Sequence, residues 1–414
     1  MKNIVVIGGG IIGLSSAFYL QKAGYAVTVI DKDGFKGNCS YGNLGYVCPS
    51  HFIPLAAPGM VWKGLKWMLN NRSPFYVQPS LNSSLMNWGL QFMRSATKKH
   101  VAASAVPLRD IALISHHEYS AWAAISELQF AFEHKGLLEV FQSEGGAHHA
   151  AEIVDTAKNL GLEVELLNKE QLTALEPQHW NALGAIYFKC DSHLYPDKLM
   201  TSLLHYLQQQ GVRLLTGEVK AFEKNAGSVT AVVTNTEKIT ADEVVVATGA
   251  WSRQLASLLD TRLALMPGRG YSFTVENAPS QITRPVILTE GRVAMSLMDG
   301  NKLRIGGTME IVSTTTPPRY HRVDGIRRAV TQFLPQFVLP EVKQEDIWYG
   351  YRPTSADGLP YIGRIRKWRN VVVATGHSML GLSLGAGTGR IVSDLISEQV
   401  PAMDLKPFAV ERFT

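Results

Sequence analysis

The sequence predicts an α/β dinucleotide-binding domain of the Rossmann type interleaved with an α+β domain, and three stretches carry that prediction. Ile4-Val5-Val6-Ile7 runs into Gly8-Gly9-Gly10-Ile11-Ile12-Gly13, followed by Leu14, Ala17, Leu20 and Ala23 at helical spacing. Glu243-Val244-Val245-Val246-Ala247-Thr248-Gly249-Ala250-Trp251 reads as a buried strand that ends in a small-residue turn. Val371-Val372-Val373-Ala374-Thr375-Gly376-His377 enters a loop with Gly381, Gly385, Gly387 and Gly389, then a helix through Ile391 and Leu395. A bare G-x-G-x-x-G is a weak signal; the β-rich run before it and the helix after it make this one specific.

The opening unit has a physical logic. Gly8 permits the tight bend, Gly10 lets backbone approach a pyrophosphate, and Gly13 lets the helix pack closely on the strand. The helix N-terminus offers free N–H groups and a positive dipole end to an anion. A second strand, Ala26 to Ile30, ends in Asp31, where a carboxylate can accept from ribose hydroxyls. Ile12 in the turn and Lys32 beside Asp31 complete the expected cofactor contacts of this unit. The spacing fits NAD and FAD equally well.

Further along, Gly34 to His51 reads as a loop rich in Gly, Ser and Asn, and Leu85 to Thr97 and Leu108 to Leu128 as helices. Asp197 to Gln210 reads as helical and Val212 to Phe222 as extended. Val229 to Val233 and Lys238 to Thr240 read as a hairpin through Asn235-Thr236. Strands return at Pro267 to Val275 and Lys302 to Met309. In the last motif, glycines before a helix suggest close backbone approach and a helix N-terminus aimed at an electron-rich group.

At 414 residues the length suggests two or three domains, and 46% hydrophobic with 18% charged residues is ordinary for a globular chain with a large core. A formal charge of +5 without any block of like charges argues against a nucleic-acid role. Cys39, Cys48 and Cys190 contain no C-x-x-C and make an odd count, so neither a zinc site nor a disulfide framework is expected. His116, His117, His148 and His149 have no metal-ligand partners at usable spacing, and no metal is expected. The opening strand leaves no room for a signal peptide, so a cytoplasmic location is expected. Leu55 to Leu69 mixes Met60, Trp62, Trp67 and Met68 with Lys63 and Lys66. It reads either as a packed segment over the active site or as a peripheral contact on the inner face of the cell membrane.

The chain resembles the D-amino-acid oxidase superfamily of FAD enzymes. The resemblance rests on Gly8 to Gly13, on Val244 to Trp251, and on the run Tyr349-Gly350-Tyr351-Arg352-Pro353-Thr354-Ser355-Ala356-Asp357-Gly358-Leu359-Pro360-Tyr361-Ile362-Gly363-Arg364. Gly42-Asn43-Leu44-Gly45, Ala56-Ala57-Pro58-Gly59, Gly268-Arg269-Gly270-Tyr271-Ser272 and Gly306-Gly307-Thr308-Met309-Glu310-Ile311 support it and point within the superfamily to bacterial D-amino-acid dehydrogenases.

The resemblance implies FAD rather than NAD, and a substrate domain built on a large antiparallel sheet with the flavin ring at the domain junction. The implied division places residues 1–60, 165–260 and 345–414 in the FAD-binding domain and 61–164 and 261–344 in the substrate domain. It sets Ser40, Asn43 and Gly45 along the ring and diphosphate, Val219 beside adenine, Gly249 and Trp251 near the ribose, and Gly376, Leu380 and Gly381 at the pyrimidine end of the flavin. The carboxylate-binding arginine falls on Arg352, whose planar fork matches a carboxylate. Arg352 could instead be a bridge between domains, and Arg269, Arg292 and Arg304 are its rivals.

Two departures from glycine oxidases matter. A substrate-contacting tyrosine falls on Ala294 or Met295, and an active-site arginine falls on Met379, which implies a more apolar pocket and a substrate with an alkyl or ring side chain. Tyr271 and His51 are candidate pocket residues; either could be purely structural. Covalent flavin attachment needs a cysteine in the C-terminal part, and the last is Cys190, so FAD is expected without a covalent bond. The implied reaction is hydride transfer from the Cα of a D-amino acid, D-proline or hydroxy-D-proline among the candidates, to flavin N5, with electrons leaving to a quinone or other carrier. A glycine, sarcosine or D-amino-acid oxidase that uses oxygen is the alternative within enzymes. A non-catalytic flavoprotein subunit of an electron-transfer complex is the alternative of another class.

Overall fold

The structure, a computed structural model, describes residues 1–59, 74–80, 82–278 and 282–413. The stretch Leu55 to Leu69 therefore falls, beyond Gly59, outside the described residues. Among the described residues no helix is long and apolar enough to cross a membrane.

The three motifs come together in one six-stranded sheet, ordered Tyr361–Ile365, Trp368–Thr375, Glu243–Val246, Asn3–Ile7, Ala26–Asp31, Arg213–Thr216. Every neighbouring pair is parallel except the first. Val5, Val6 and Ile7 lie opposite Val244, Val245 and Val246, which in turn lie opposite Val371, Val372 and Val373. Such unbroken apolar runs suit a parallel sheet covered on both faces. Helices Ile11–Lys22 and Pro196–Gln209 bury Leu14, Phe18, Leu203 and Leu207 on one face, and the three-stranded sheet Val219–Asn225, Ser228–Thr234, Lys238–Thr240 covers the other.

A second, nine-stranded sheet runs in the order Trp348–Ser355, Leu265–Val275, Lys302–Ile311, Val293–Met298, Val286–Leu288, Leu137–Phe141, Gly184–Phe188, Val164–Asn168, with Phe75–Val77 paired to Lys302–Ile311. Its pairs are antiparallel apart from Val286–Leu288 on Leu137–Phe141 and Phe75–Val77 on Lys302–Ile311. Helix Val323–Phe333 packs Ile326, Val330 and Phe333 against Val293 and Ile305 in a second core.

The chain crosses between the two sheets at other points than the sequence suggests. Val164–Asn168, Gly184–Phe188 and Trp348–Ser355 all belong to the large sheet, although residues 165–260 and 345–414 were expected in the cofactor domain. Helix Lys98–Ala123, expected in the substrate domain, packs on the cofactor side, where the Tyr119 hydroxyl donates to the Leu382 carbonyl at 2.6 Å. Strand membership is set by long-range hydrogen bonds, on which local periodicity is silent.

The glycines after residue 381 also have a different task from the one expected. A Cβ on Gly385 would lie 2.7 Å from Ile11 Cγ1, one on Gly387 2.9 Å from the Ser115 nitrogen, and one on Gly389 2.4 Å from the Ser15 carbonyl carbon. They sit inside helix Gly385–Ile396 and let it press on helices Ile11–Lys22 and Lys98–Ala123. The close approach is helix to helix.

Candidate active site

Between the two sheets lies a cavity of about 1010 Å³, large enough for a dinucleotide together with a small substrate. Gly8, Gly10 and Ile12 line it, as do Asp31, Lys32 and Val219. Ser40, Asn43, Gly249, Trp251, Leu380 and Gly381 line it as well. Gly13, Gly45 and Gly376 are absent from its wall and act by packing. A Cβ on Gly13 would lie 1.8 Å from the Gly8 carbonyl oxygen, one on Gly45 2.0 Å from that of Leu194, and one on Gly376 2.9 Å from the Tyr361 ring. For Gly45 and Gly376, expected along the cofactor, backbone and ring atoms of the protein stand where a side chain would begin, while their neighbours Asn43, Leu44, Thr375 and His377 line the cavity.

The first turn is built to meet an anion. Helix Ile11–Lys22 starts at Gly10 with no side chain of its own capping residue, and the Ser40 hydroxyl accepts the Ile11 N–H at 3.0 Å. Asn38 holds this serine loop by donating to the Gly9 carbonyl at 3.1 Å and accepting the Ser40 N–H at 3.0 Å. Asp31 accepts the Gly9 N–H at 2.8 Å through one oxygen and the Asp33 N–H at 2.9 Å through the other, so it braces the glycine turn as well as facing the cavity. Lys32 stands 4.2 Å from the centre of the Trp251 ring.

At the C-terminal turn, Ser378 adopts φ 51°, and neither its hydroxyl nor His377 Nδ1 has a partner among the described residues. On the large sheet, Thr308 adopts φ 63° and its buried hydroxyl likewise has no partner among the described residues. A non-glycine residue in the left-handed region and an orphaned buried hydroxyl each carry a cost, and both coincide at two places on the cavity wall. The cradle therefore fits a ligand that supplies hydrogen bonds there. Burial holds His377 far down, at about 3, so its ring is neutral.

The large sheet forms the opposite wall. Trp348, Ser272, Gly306, Ala294, Ile287 and Glu139 are successive cross-strand partners and so project from one face. All six line the cavity. Their order puts small residues in the middle and a carboxyl at one end. Trp348 is seated between glycines, since a Cβ on Gly42 would lie 2.1 Å from its ring and one on Gly350 2.3 Å.

Arg352 enters this wall from the edge strand. One guanidinium nitrogen donates to the Thr308 carbonyl at 2.6 Å and stands 4.0 Å from the Met309 sulfur. Among the described residues no carboxylate pairs with it. Burial pulls it down to about 10, so it stays charged at neutral pH. Its rivals are engaged elsewhere or lie apart. Arg269 is fully buried and paired with Glu310 at 2.8 Å. Arg304 donates to the carbonyls of Tyr41 and Asn43 at 2.7 and 2.8 Å and pairs with Asp197, which makes it the brace of the Ser40 loop. Arg292 reaches the cavity but is exposed.

Of the remaining candidates, Tyr271 borders the cavity while its hydroxyl is committed to the buried cluster, donating to Glu310 at 2.7 Å and accepting the Arg319 N–H at 2.7 Å. Met379 lines the cavity and is 47% exposed, which puts a thioether at its opening. His51 lines it too, held by a hydrogen bond between Nδ1 and the Ser50 hydroxyl at 3.1 Å.

Sequence reading missed the network behind His51. The Ser50 hydroxyl donates to Asp191 at 2.5 Å and the Ser50 N–H to the other oxygen at 3.1 Å. Donor atoms of Cys48, His51 and Asp191 lie within 4.8 Å of one another, and protein hydrogen bonds already occupy both Asp191 oxygens. Burial pushes Asp191 up to about 6 and Glu139 up to about 7, and it raises the Cys39 and Cys48 thiols, so neither cysteine is a ready thiolate. No motif marks Glu139 or Asp191. For Thr308 and Ser378 a signal was present, a hydroxyl residue just after Gly306-Gly307 and Gly376-His377.

Comparison with known proteins completes the assignment. The family described as FAD dependent oxidoreductase (DAO) matches residues 3–395. The chain belongs to that family. As a DAO-family protein it is an FAD-dependent oxidoreductase. It is similar to proteins named D-amino acid dehydrogenase in Bradyrhizobium diazoefficiens (29% identity over 428 residues, 99% of each chain) and Granulibacter bethesdensis (28% over 420 residues, 99% of each). Among solved structures, the DAO fold recurs in glycine oxidase from Geobacillus kaustophilus (TM-score 0.79, 22% identity, covering 100% of this chain and 99% of that one). It recurs likewise in L-proline dehydrogenase from P. horikoshii (TM-score 0.78, 19% identity, covering 100% and 97%).

Proposed function

We propose that this DAO-family flavoprotein is a D-amino-acid dehydrogenase that anchors the substrate carboxylate on Arg352. The observation that carries the reading is a charged guanidinium in the cavity wall with only a carbonyl and a thioether for partners among the described residues. A half-buried cation left without an acid carries a cost, and an incoming carboxylate would remove it while setting which face of Cα meets the ring. The relatives named D-amino acid dehydrogenase agree with it over the whole chain.

FAD, when bound, would supply the two-electron acceptor for the hydride that leaves the substrate Cα. The glycine turn with Ser40 and Asp31 would hold the diphosphate and ribose, Val219 and Trp251 the adenosine, and Ser378 with the Leu380–Gly381 backbone the polar edge of the ring. No cysteine lies in the C-terminal turn, which supports a cofactor held without a cysteinyl bond. Gly306, Ala294, Ile287 and Met379 leave a small-to-apolar floor beside Arg352, which suits an alkyl or ring side chain such as D-proline or a hydroxy-D-proline. The electrons leave to a quinone or another carrier.

The test is the visible spectrum of the FAD-loaded protein under nitrogen, with D- and L-amino acids, glycine, sarcosine and both hydroxyproline series added singly. Bleaching of the flavin band by D-amino acids or D-prolines alone supports the reading. Rapid recovery of colour on admitting air would replace the dehydrogenase by an oxidase, and bleaching by L-amino acids alone would overturn the stereochemical assignment.

A further inference from the structure

The wall opposite the glycine turn holds a hydrogen-bond chain of fixed direction. Ser50 gives its hydroxyl proton to Asp191 Oδ2 at 2.5 Å, while the Ser50 N–H occupies Asp191 Oδ1 at 3.1 Å. A hydroxyl has one proton. Having donated it to the carboxylate, Ser50 can only accept from His51 Nδ1, 3.1 Å away. Nδ1 must then carry the ring proton, and Nε2, which has no partner among the described residues, is left with a lone pair on a ring that lines the cavity.

We infer that Asp191 and Ser50 lock His51 as its Nδ1–H tautomer, so that Nε2 is the acceptor for the N–H of the substrate's reacting amine. The inference rests on the amino-acid oxidation proposed above and extends it: Arg352 takes the carboxylate, His51 the amine, and Asp191 and Ser50 are positioning residues. Burial supports it by holding His51 down at about 4, so the ring is uncharged at neutral pH and Nε2 is free to accept. The chain leading into the loop is pinned at two points. The Cys48 N–H donates to the Ser383 hydroxyl at 2.8 Å, and the Tyr46 hydroxyl bonds the carbonyls of Met295 and Val286 at 2.7 and 2.9 Å. A secondary amine, with a single N–H in its neutral form, has the one donor that a single acceptor needs. The network thus gives a reason for selecting cyclic amino acids that an apolar floor alone does not.

The experiment is long-range proton–nitrogen NMR of FAD-loaded protein labelled with ¹⁵N-histidine at pH 8, where Asp191 is ionised, with His51 assigned by its loss in His51→Gln. The expected result is a protonated Nδ1 and a pyridine-type Nε2 in the wild type. In Asp191→Asn the amide oxygen keeps the Ser50 N–H and the amide nitrogen donates to the Ser50 hydroxyl, whose proton is then free for Nδ1, so the tautomer is expected to invert. Flavin reduction by a D-amino acid should fall about tenfold in that variant, the loss of one good hydrogen bond. His51→Leu should fall at least as far, and His51→Gln, whose amide oxygen reaches the Nε2 position, should recover part of the rate. An Nε2–H tautomer in a wild type that D-amino acids reduce would overturn this inference alone. An Asp191→Asn variant that keeps Nδ1–H would overturn the positioning role. An Nδ1–H wild type whose flavin no D-amino acid reduces would overturn the proposed function, and the amine ligand with it.

Discussion

The guanidinium of Arg352 occupies the space where a side chain on Gly270 would begin: a Cβ there would lie 2.3 Å from both terminal nitrogens. Gly270 faces Gly350 and Gly268 faces Arg352 across the strand pair, so the arginine lies along bare backbone until it reaches the Thr308 carbonyl. Gly270→Ala should push the guanidinium aside without emptying the core. The expected outcome is a KM at least tenfold higher for the carboxylate substrate with a melting temperature near that of wild type. A changed kcat at unchanged KM would show that the glycine serves something else.

Arg352→Lys and Arg352→Met should each raise KM at least tenfold, from loss of a charge-assisted pair worth roughly 1.5 to 3 kcal/mol. Lysine keeps the charge but not the fork, so it should recover only part of the loss. Steady-state kinetics on two D-amino acids measures this, and an unchanged KM removes Arg352 from the substrate.

Tyr271→Phe separates a pocket role from a structural one. The hydroxyl bridges Glu310 and the Arg319 backbone within a buried cluster that also holds Arg269 and Arg322. Its loss should lower stability by about 1 to 3 kcal/mol and leave KM within about twofold, because the ring still lines the cavity. Thermal unfolding and kinetics on the same preparation decide between the two.

Glu139 makes the stability fall with pH. Burial, helped by the nearby charge of Asp191 and opposed by Arg292, pushes Glu139 up to about 7, and burial pushes Asp191 up to about 6. An unfolded carboxyl titrates near ~4, so between about pH 4 and pH 7 the folded state binds more protons, and the unfolding free energy falls as pH rises through that window. Above it both groups are ionised and the penalty is complete. Glu139→Gln should therefore melt above wild type at pH 8, by something on the order of 2 kcal/mol, and with it near pH 5. Calorimetry at the two pH values checks the sign; a variant less stable at pH 8 would show that the ionised carboxylate has a partner.

Gly13→Ala sets a methyl against the Gly8 carbonyl, 1.8 Å from where the Cβ would stand. Neither backbone segment can give way without opening the turn, so the variant should lose bound flavin on gel filtration, while Gly145, which is exposed with nothing within 4 Å of an added Cβ, should tolerate alanine. The ratio of flavin to protein absorbance reads the result.

The βαβ opening, the hairpin through Asn235-Thr236 and the helix before the C-terminus were legible because each is written in local periodicity and turn chemistry. The end of the glycine-rich C-terminal motif was not. Gly385, Gly387 and Gly389 look in sequence like a ligand loop, and only the helices pressed against them show otherwise. The same holds for the wall of the site. Glu139 and Trp348 are far apart in the chain and share a face only because five strand pairs bring them into one row.

By itself the sequence determined the dinucleotide turn, the valine strands that flank it, the family and Arg352 as the anion-binding candidate. All of these depend on residue types within short windows, where steric and dipole requirements leave few alternatives. Only the tertiary structure decided that Arg352 lacks an acidic partner among the described residues while Arg269 and Arg304 have theirs. It alone joined Ser50, His51 and Asp191 into one chain. Whether a charge or a ring nitrogen is free depends on what the fold brings within hydrogen-bond reach, and that is settled by contacts between segments from about 40 to about 140 residues apart.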